Sequence, residues 1–301
     1  GWFDKDNVLN SVSEIANSLT AEKLNDWTLN YAINNDSKKT IGVIMAGNIP
    51  LVGFHDFLSV LITGNSIQAK LASGDNTLIR RVGEILISIE SVFESKIQFV
   101  ERLEGFDAVI ATGSNNTARY FEQYFGKYPH IIRKNRSSVA IINENDKLED
   151  IKPLGKDIFQ YFGLGCRSVS KLYFPKGYKI DTFFESILDD YQDVTQNNKY
   201  ANNYDYNKAV YLMGSNQLLD NGFLLLKEES SFVSPVGVIN YEFYSSLKDL
   251  EKHLNENKNE LQCIVSSKKT PLQTLNFGDA QCPKLNSYAD GIDTISFVLG
   301  L

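Results

Sequence analysis

The sequence predicts an α/β protein with a mostly parallel sheet, and three observations carry that prediction. Short β-branched runs alternate with helix-length segments between residues 41 and 125. Each run ends in a turn rich in Gly, Asn or Ser: Gly47 and Asn48 after IGVIMA, Ser73 and Gly74 after SIQAKL, Gly113 and Ser114 after DAVIAT. The chain has 301 residues, 43% of them hydrophobic, which suffices for two lobes because single cores stop growing near ~250–300 residues.

In chain order, the first ~35 residues read as two amphipathic helices, Asp6 capping Val8, Val12 and Ile15, and Thr20 capping Leu24, Trp27 and Tyr31. Ile41 to Ala46 reads as a strand and Val52 to Thr63 as a helix. Ser66 to Leu71 is a second strand. After it, Leu78, Val82, Ile85, Leu86, Ile89, Val92 and Phe93 keep a helical period, with Asp75 or Asn76 as the cap. Asp107 to Thr112 is a third strand, leading to a helix that carries Ala118, Phe121 and Phe125. Strands alternating with helices imply right-handed crossovers. Beyond Pro129, strands are expected near Ile131, Val139 to Ile142, Ser170 to Phe174, Ala209 to Met213, Val236 to Tyr241 and Gln262 to Ser266, with helices over 153–161, 180–192 and 244–258. Gln196 to Asn207, rich in Asn and Tyr, reads as a loop. Lys248 to Glu260 reads as a charged helix with one apolar face.

Composition narrows the function classes. A net charge of −7 provides no basic field for phosphodiester backbones, so nucleic acid is excluded as a partner. The longest apolar stretch, Ile41 to Gly64, is interrupted by Asn48, Pro50, His55 and Asp56, so no membrane span is expected. No charged start followed by an apolar run marks a secretory signal, and a cytoplasmic location is expected. The three cysteines, Cys166, Cys263 and Cys282, and the three histidines, His55, His130 and His253, show neither CxxC nor HExxH spacing. No metal site is predicted.

Three features point to chemistry. Cys166 lies in GLGCRSVS between a helix and a strand, where Gly163 and Gly165 let the backbone turn tightly and approach a ligand. A cysteine among apolar residues is more often an inert small hydrophobe, and Arg167 either favours a thiolate or forms a surface pair. Asn48 follows a buried-type strand at the carboxyl end, where open α/β sheets place their crevices; its bland alternative is a turn residue. Thr112, Gly113 and Ser114 open a helix and could present N–H groups to a phosphate, although ordinary caps look the same.

Taken together, the strings IGVIMAGNIPL, TGNSIQAKLAS, DAVIATGSNNTARYFE, IIRKNRSSVAII and YFGLGCRSVSKLYFPKG resemble, in order and context, the aldehyde dehydrogenase superfamily. The resemblance covers residues 40–180 well and the rest loosely. GNIP, PHIIRKNRSS and FGLGCRSVSKL look most like the fatty acyl-CoA reductase branch. It implies an aldehyde dehydrogenase-like fold, with a Rossmann-type cofactor domain over residues 1–133, to which 276–301 return, and an α/β catalytic domain over 134–275. It also implies Cys166 as nucleophile, with the Asn48 amide joining the Cys166 N–H as oxyanion donors. Lys70 would hold the adenosine ribose. Thr112, Gly113 and Ser114 would lie near the pyrophosphate or nicotinamide, and Glu229, in EESSFVSP, would contact the nicotinamide ribose.

Departures from the family pattern sharpen the reading. Hydrolysing relatives carry a water-activating glutamate two residues before a Gly-Gly pair; aligning Lys134 and Asn135 with that pair puts Ile132 there. An isoleucine is no general base, so an acyl-enzyme should survive to be reduced, unless Glu144, Asp146 or another carboxylate folds into the gap. Ser73 stands three residues after Lys70, where NAD-preferring relatives carry a glutamate. A serine does not repel a 2′-phosphate, which favours NADPH, with NADH as the second candidate. His130, near the missing glutamate, could donate a proton, but a lone His after Pro129 is more often structural, and His55 has the same default. The expected reaction is reduction of an acyl-CoA or acyl-carrier thioester to an aldehyde through an acyl-cysteine, with an acyl-transferring enzyme as a candidate partner. The rival readings are aldehyde oxidation to the acid or to acyl-CoA, and a non-redox cysteine acyltransferase. An oligomer is allowed, and the shortness of the chain relative to superfamily members does not imply a tetramer.

Overall fold

The computed structural model describes residues 1–33 and 38–301. The end of the two-helix reading, at residues 34–35, lies outside the described residues. The chain divides into two compact units, a first made of Phe3–Asn135 with Lys284–Leu301 and a second made of Gly1–Trp2 with Arg136–Pro283.

The first unit opens with α1 (Lys5–Ser18) and α2 (Ala21–Thr28). Asp4, rather than Asp6, caps α1 by accepting from Asn7 N at 2.9 Å, while Thr20 caps α2 as expected. Then follow β1 (Thr40–Ile44), α3 (Phe54–Ile62), β2 (Ser66–Lys70), α4 (Leu78–Ile89), β3 (Ile97–Phe99), β4 (Ala108–Thr112), α5 (Asn115–Phe125) and β5 (His130–Arg133). The sheet runs β3-β2-β1-β4-β5 and every pairing is parallel. Both faces of such a sheet must be covered, and alternation along β4 shows how. Ala108 and Ile110 face a core with Ile41, Val43, Phe57 and Ile79; Val109 and Ala111 face a smaller one with Leu103, Phe121 and Phe125.

The second unit contains β6 (Ser137–Ile141), α6 (Leu148–Ile151), α7 (Leu154–Phe159), β7 (Val169–Pro175), α8 (Ile180–Tyr191), α9 (Asn198–Met213), β8 (Leu219–Asp220), β9 (Leu225–Glu228), β10 (Val238–Tyr244), α10 (Leu247–Glu256), β11 (Leu261–Ser266) and β12 (Thr274–Leu275). Its sheet order is β12-β11-β6-β7-β10-β9-β8, parallel except for the β8–β9 pair. A last helix, α11 (Thr294–Leu299), belongs to the first unit.

Three expectations are corrected. The supposed loop over 196–207 and the supposed strand over 209–213 are one helix, α9. Asn197 caps it by accepting from Lys199 N and Tyr200 N. Tyr200 and Tyr204, one helical turn apart, are buried and donate to Phe223 O and Asp220 Oδ1. Tertiary packing thus overrides the weak helix propensity of Asn and Tyr. Residues 276–283, expected with the cofactor domain, belong to the second unit: Phe277 and Ala280 join its core, and Asp157 on α7 accepts from Gly278 N and Ala280 N. Gly1–Trp2 also belong there, because the Trp2 ring packs on Phe162 and its carbonyl accepts from Asn197.

Candidate active site

In the first unit, strand order places β2 on one side of β1 and β4 on the other, so the chain reverses its winding direction between β1 and β4. Open α/β sheets bind ligands at such a switch point, beyond the carboxyl ends of the strands. At that end Lys70 and Thr112 close β2 and β4, and the loops that leave β1, β2 and β4 carry Asn48, Ser73, Gly113 and Ser114. Six predicted residues are therefore brought to one end of one sheet.

Two of these loops are bound to each other. Asp75 accepts from Leu51 N at 2.9 Å and from Leu78 N at 3.3 Å, joining the loop after β1 to the first turn of α4. Leu51, buried, is held at φ 57°, in the left-handed region. A Cβ on Gly74 would lie 2.6 Å from Gly47 O, and one on Gly47 would lie 2.8 Å from Ala72 Cβ, so only glycines permit this approach. Asn48 is left exposed at the tip. The sequence reading saw Asp75 only as a cap; its link to Leu51 leaves no sequence signal.

Lys70 donates its ammonium to Glu101 O, and Ser73 is exposed three residues later. Between Lys70 and Asp75 no side chain is acidic, and Asp75 faces backbone donors, so this donor set suits a dinucleotide with or without a 2′-phosphate. The turn after β4 is built into the fold. Gly113 N donates to Arg133 O at 3.3 Å, a Cβ there would meet Phe121 and Thr117 at 3.0–3.1 Å, and Ser114 caps α5 by accepting from Thr117 N at 3.2 Å. Ile132 is half-buried against the cluster of Leu103, Val109 and Ala111. His130 takes the structural alternative: its Nδ1 lies 2.8 Å from Tyr128 O and its Nε2 lies 3.6 Å from Glu122. His55 does likewise, with Nε2 2.7 Å from Leu285 O and its ring edge-on to Tyr288.

In the second unit, Cys166 is exposed on the loop that enters β7. Tyr161, Phe162 and Gly163 all have positive φ, 55°, 59° and 75°, which turns the chain sharply after α7. The loop then closes on itself: Ser168 N donates to Gly165 O at 3.0 Å, and Gly165 N donates to Ser168 Oγ at 3.3 Å. Gln281 Nε2 also reaches Ser168 Oγ, at 3.2 Å. Ser138, wholly buried on β6, donates to Cys166 O at 2.8 Å and has Cys263 Sγ at 2.9 Å. Burial pushes the Cys263 thiol up to about 11, against the smaller opposing effects of the Ser138 hydrogen bond and Arg167. Cys263 is therefore a protonated thiol at neutral pH, unsuited to nucleophilic attack.

Glu229 also lies in the second unit, beyond β9, and its carboxylate pairs with Lys227 at 2.9 Å and accepts from Ser230 N. These hydrogen bonds, the Lys227 one first, hold it below the usual carboxylate range. The Glu229 carbonyl accepts from the buried Lys171 ammonium, which also pairs with Glu242 at 2.6 Å. Asp146, one carboxylate weighed as a stand-in for the missing base, accepts from Asn143 N at 2.8 Å and from Ser267 Oγ at 2.5 Å, closing a turn; Glu144 is exposed. Among the described residues no group of three or more His, Cys, Asp or Glu side chains is placed to hold a metal ion, and no helix is long and apolar enough to cross a membrane.

No family model matches the chain, and no curated protein matches it. Solved structures do. An indole-3-acetaldehyde dehydrogenase of P. syringae, in complex with NAD+ and IAA, superposes with a TM-score of 0.59 at 11% identity over 77% of this chain and 57% of its own. Aldehyde dehydrogenase 21 of Physcomitrella patens, with the reaction product succinate, gives 0.64 at 16% identity over 87% and 66%. An NAD-dependent aldehyde dehydrogenase of Sinorhizobium meliloti gives 0.62 at 11% identity over 78% and 56%. The chain therefore spans little more than half to two thirds of the length of these structures.

Proposed function

We propose that this chain, which has the aldehyde dehydrogenase fold, reduces an activated acyl thioester such as an acyl-CoA to an aldehyde, with Cys166 as the nucleophile and NADPH as the reductant. The fold neighbours make aldehyde-related redox chemistry the general expectation. The observation that carries the finer reading is Ile132, an apolar side chain packed against Leu103, Val109 and Ala111 at the position where hydrolysing relatives of the family it resembles keep their water-activating glutamate.

On this reading the Cys166 sulfur bonds to the thioester carbonyl carbon and the carbon–sulfur bond to the departing thiol breaks, leaving an acyl-cysteine. The Cys166 N–H, in a loop closed by the Gly165–Ser168 hydrogen bonds, would stabilise the oxyanion, and by the family resemblance the Asn48 amide would be the second donor. By the same resemblance Lys70 and Ser73 would hold the adenosine end of the cofactor, and Glu229 the nicotinamide ribose. A reduced nicotinamide, when bound, would supply hydride to the acyl carbon, and breaking the bond from that carbon to the Cys166 sulfur would release aldehyde and return Cys166 as its thiolate. Without a carboxylate at residue 132 to activate water, hydrolysis does not compete.

Intact mass measured after incubation with a series of acyl-CoAs tests this. The expected result is a mass gain of one acyl group, absent in Cys166→Ala, which disappears with release of aldehyde when NADPH is added. No gain with any acyl-CoA would overturn the proposal. A second reading, aldehyde oxidation, is favoured by the neighbour solved with the product succinate. Formation of acid from aldehyde and NAD(P)+ in the absence of CoA would establish it instead.

A further inference from the structure

The loop that carries Cys166 is held at its carbonyl by a side chain, Ser138, to which the motif that contains it assigns no role. Ser138 has no exposed surface and sits opposite Cys263 on β11 on one side and opposite Val169 on β7 on the other. Both ladders are irregular beside it: the β6–β7 register shifts between Ser138 and Val139, and the β6–β11 register shifts between Leu261 and Cys263. Its own carbonyl lies 3.5 Å from the Ser170 hydroxyl. The Ser138 hydroxyl has one proton, and the geometry gives it to Cys166 O at 2.8 Å. The contact with Cys263 Sγ at 2.9 Å then runs the other way, thiol to hydroxyl. The result is a directed chain, Cys263 S–H to Ser138 O–H to Cys166 C=O, each donor polarising the next.

We infer that Ser138 is a positioning residue for Cys166: by fixing the peptide carbonyl on the far side of the nucleophile while the Gly165–Ser168 pair fixes the near side, it sets the direction of the Cys166 thiol and N–H. The inference rests on the assignment of Cys166 as nucleophile. An apolar residue at 138 would leave the Cys166 carbonyl without this donor.

The test follows Cys166 alkylation by iodoacetamide, read by peptide mass, which needs neither substrate nor cofactor, alongside single-turnover acylation by acyl-CoA. Ser138→Ala is expected to change the alkylation rate at least threefold and to slow acylation about tenfold with little change in KM, the size of effect one lost buried hydrogen bond produces. Ser138→Thr, which keeps the hydroxyl, should recover most of both rates. Wild-type alkylation and acylation rates in Ser138→Ala would overturn the inference, as would equal losses in both variants accompanied by equal drops in melting temperature. If wild-type protein is never acylated, the proposed function fails while the alkylation comparison still decides the role of Ser138.

Discussion

Asp157 offers a stability experiment whose size and sign follow from its surroundings. The carboxylate is wholly buried on α7 and accepts from Gly278 N at 2.6 Å and Ala280 N at 2.9 Å. Burial raises its pKa from 3.8 to about 6, with the two backbone hydrogen bonds opposing the rise. A displacement of that size corresponds to about 3 kcal/mol. Below pH 3.8 the group is protonated in folded and unfolded chains alike and adds no penalty. Between 3.8 and about 6 the folded protein holds the proton more tightly, so unfolding releases it and stability falls as pH rises; above about 6 the loss is complete and constant. Asp157→Asn carries no charge at any of these pH values. Its amide NH2 would face one backbone N–H, adding a cost of about 1–3 kcal/mol that does not depend on pH. Urea denaturation of wild type and Asp157→Asn at half-unit steps from pH 4 to 7.5 isolates the group, because every other titration cancels in the difference. The wild type's advantage should shrink by about 2 kcal/mol between pH 4 and 6.5, the part of the full loss that falls in this range, and then level off. Parallel stability curves, or an advantage that grows with pH, would refute the reasoning.

Other consequences are as direct. Asp75→Ala removes the acceptor shared by Leu51 N and Leu78 N and should cost about 2 kcal/mol in thermal or urea unfolding, with weaker nicotinamide binding by fluorescence titration. Gly155→Ala places a Cβ 2.1 Å from Tyr191 Cε2, against a ring stacked on Phe159, and should lower unfolding stability by about 3 kcal/mol. If Asn48 supplies an oxyanion donor, Asn48→Ala should slow acylation and reduction each by about a hundredfold in single-turnover assays. Ser73→Glu should weaken NADPH about tenfold and leave NADH little changed in binding titrations, since a carboxylate there repels a 2′-phosphate.

In the first unit β1, β2 and β4 were legible because each is closed by its own turn residues and falls where the sequence places it, whereas the three-residue β3 was missed. Tyr200 and Tyr204 show the opposite case. Their burial depends on hydrogen bonds to Phe223 O and Asp220, and nothing local distinguishes them from loop tyrosines. The strand β9 was missed for a related reason: a short apolar run such as Leu225–Glu228 declares itself only when β10 pairs beside it. At the candidate site the motif residues were readable as Cys, Asn and Gly-rich turns. The hold of Ser138 on Cys166 O, of Asp75 on Leu51 N and of Gln281 on Ser168 Oγ was not, because each joins residues far apart in the sequence.

Neither compact unit is a continuous stretch of chain, and this bears on how the protein is made. The Arg133 guanidinium, buried in the first unit, pairs with Asp56 on α3 and donates to Thr294 Oγ1, a residue 161 positions further along. At ~5–20 residues per second, a ribosome needs roughly ten to thirty seconds to deliver that threonine after the arginine has been added. Throughout that interval any sheet the first unit forms lacks α11, and the core surface that Val298 covers stays open. The nascent chain must wait for α11 before this sheet is sealed.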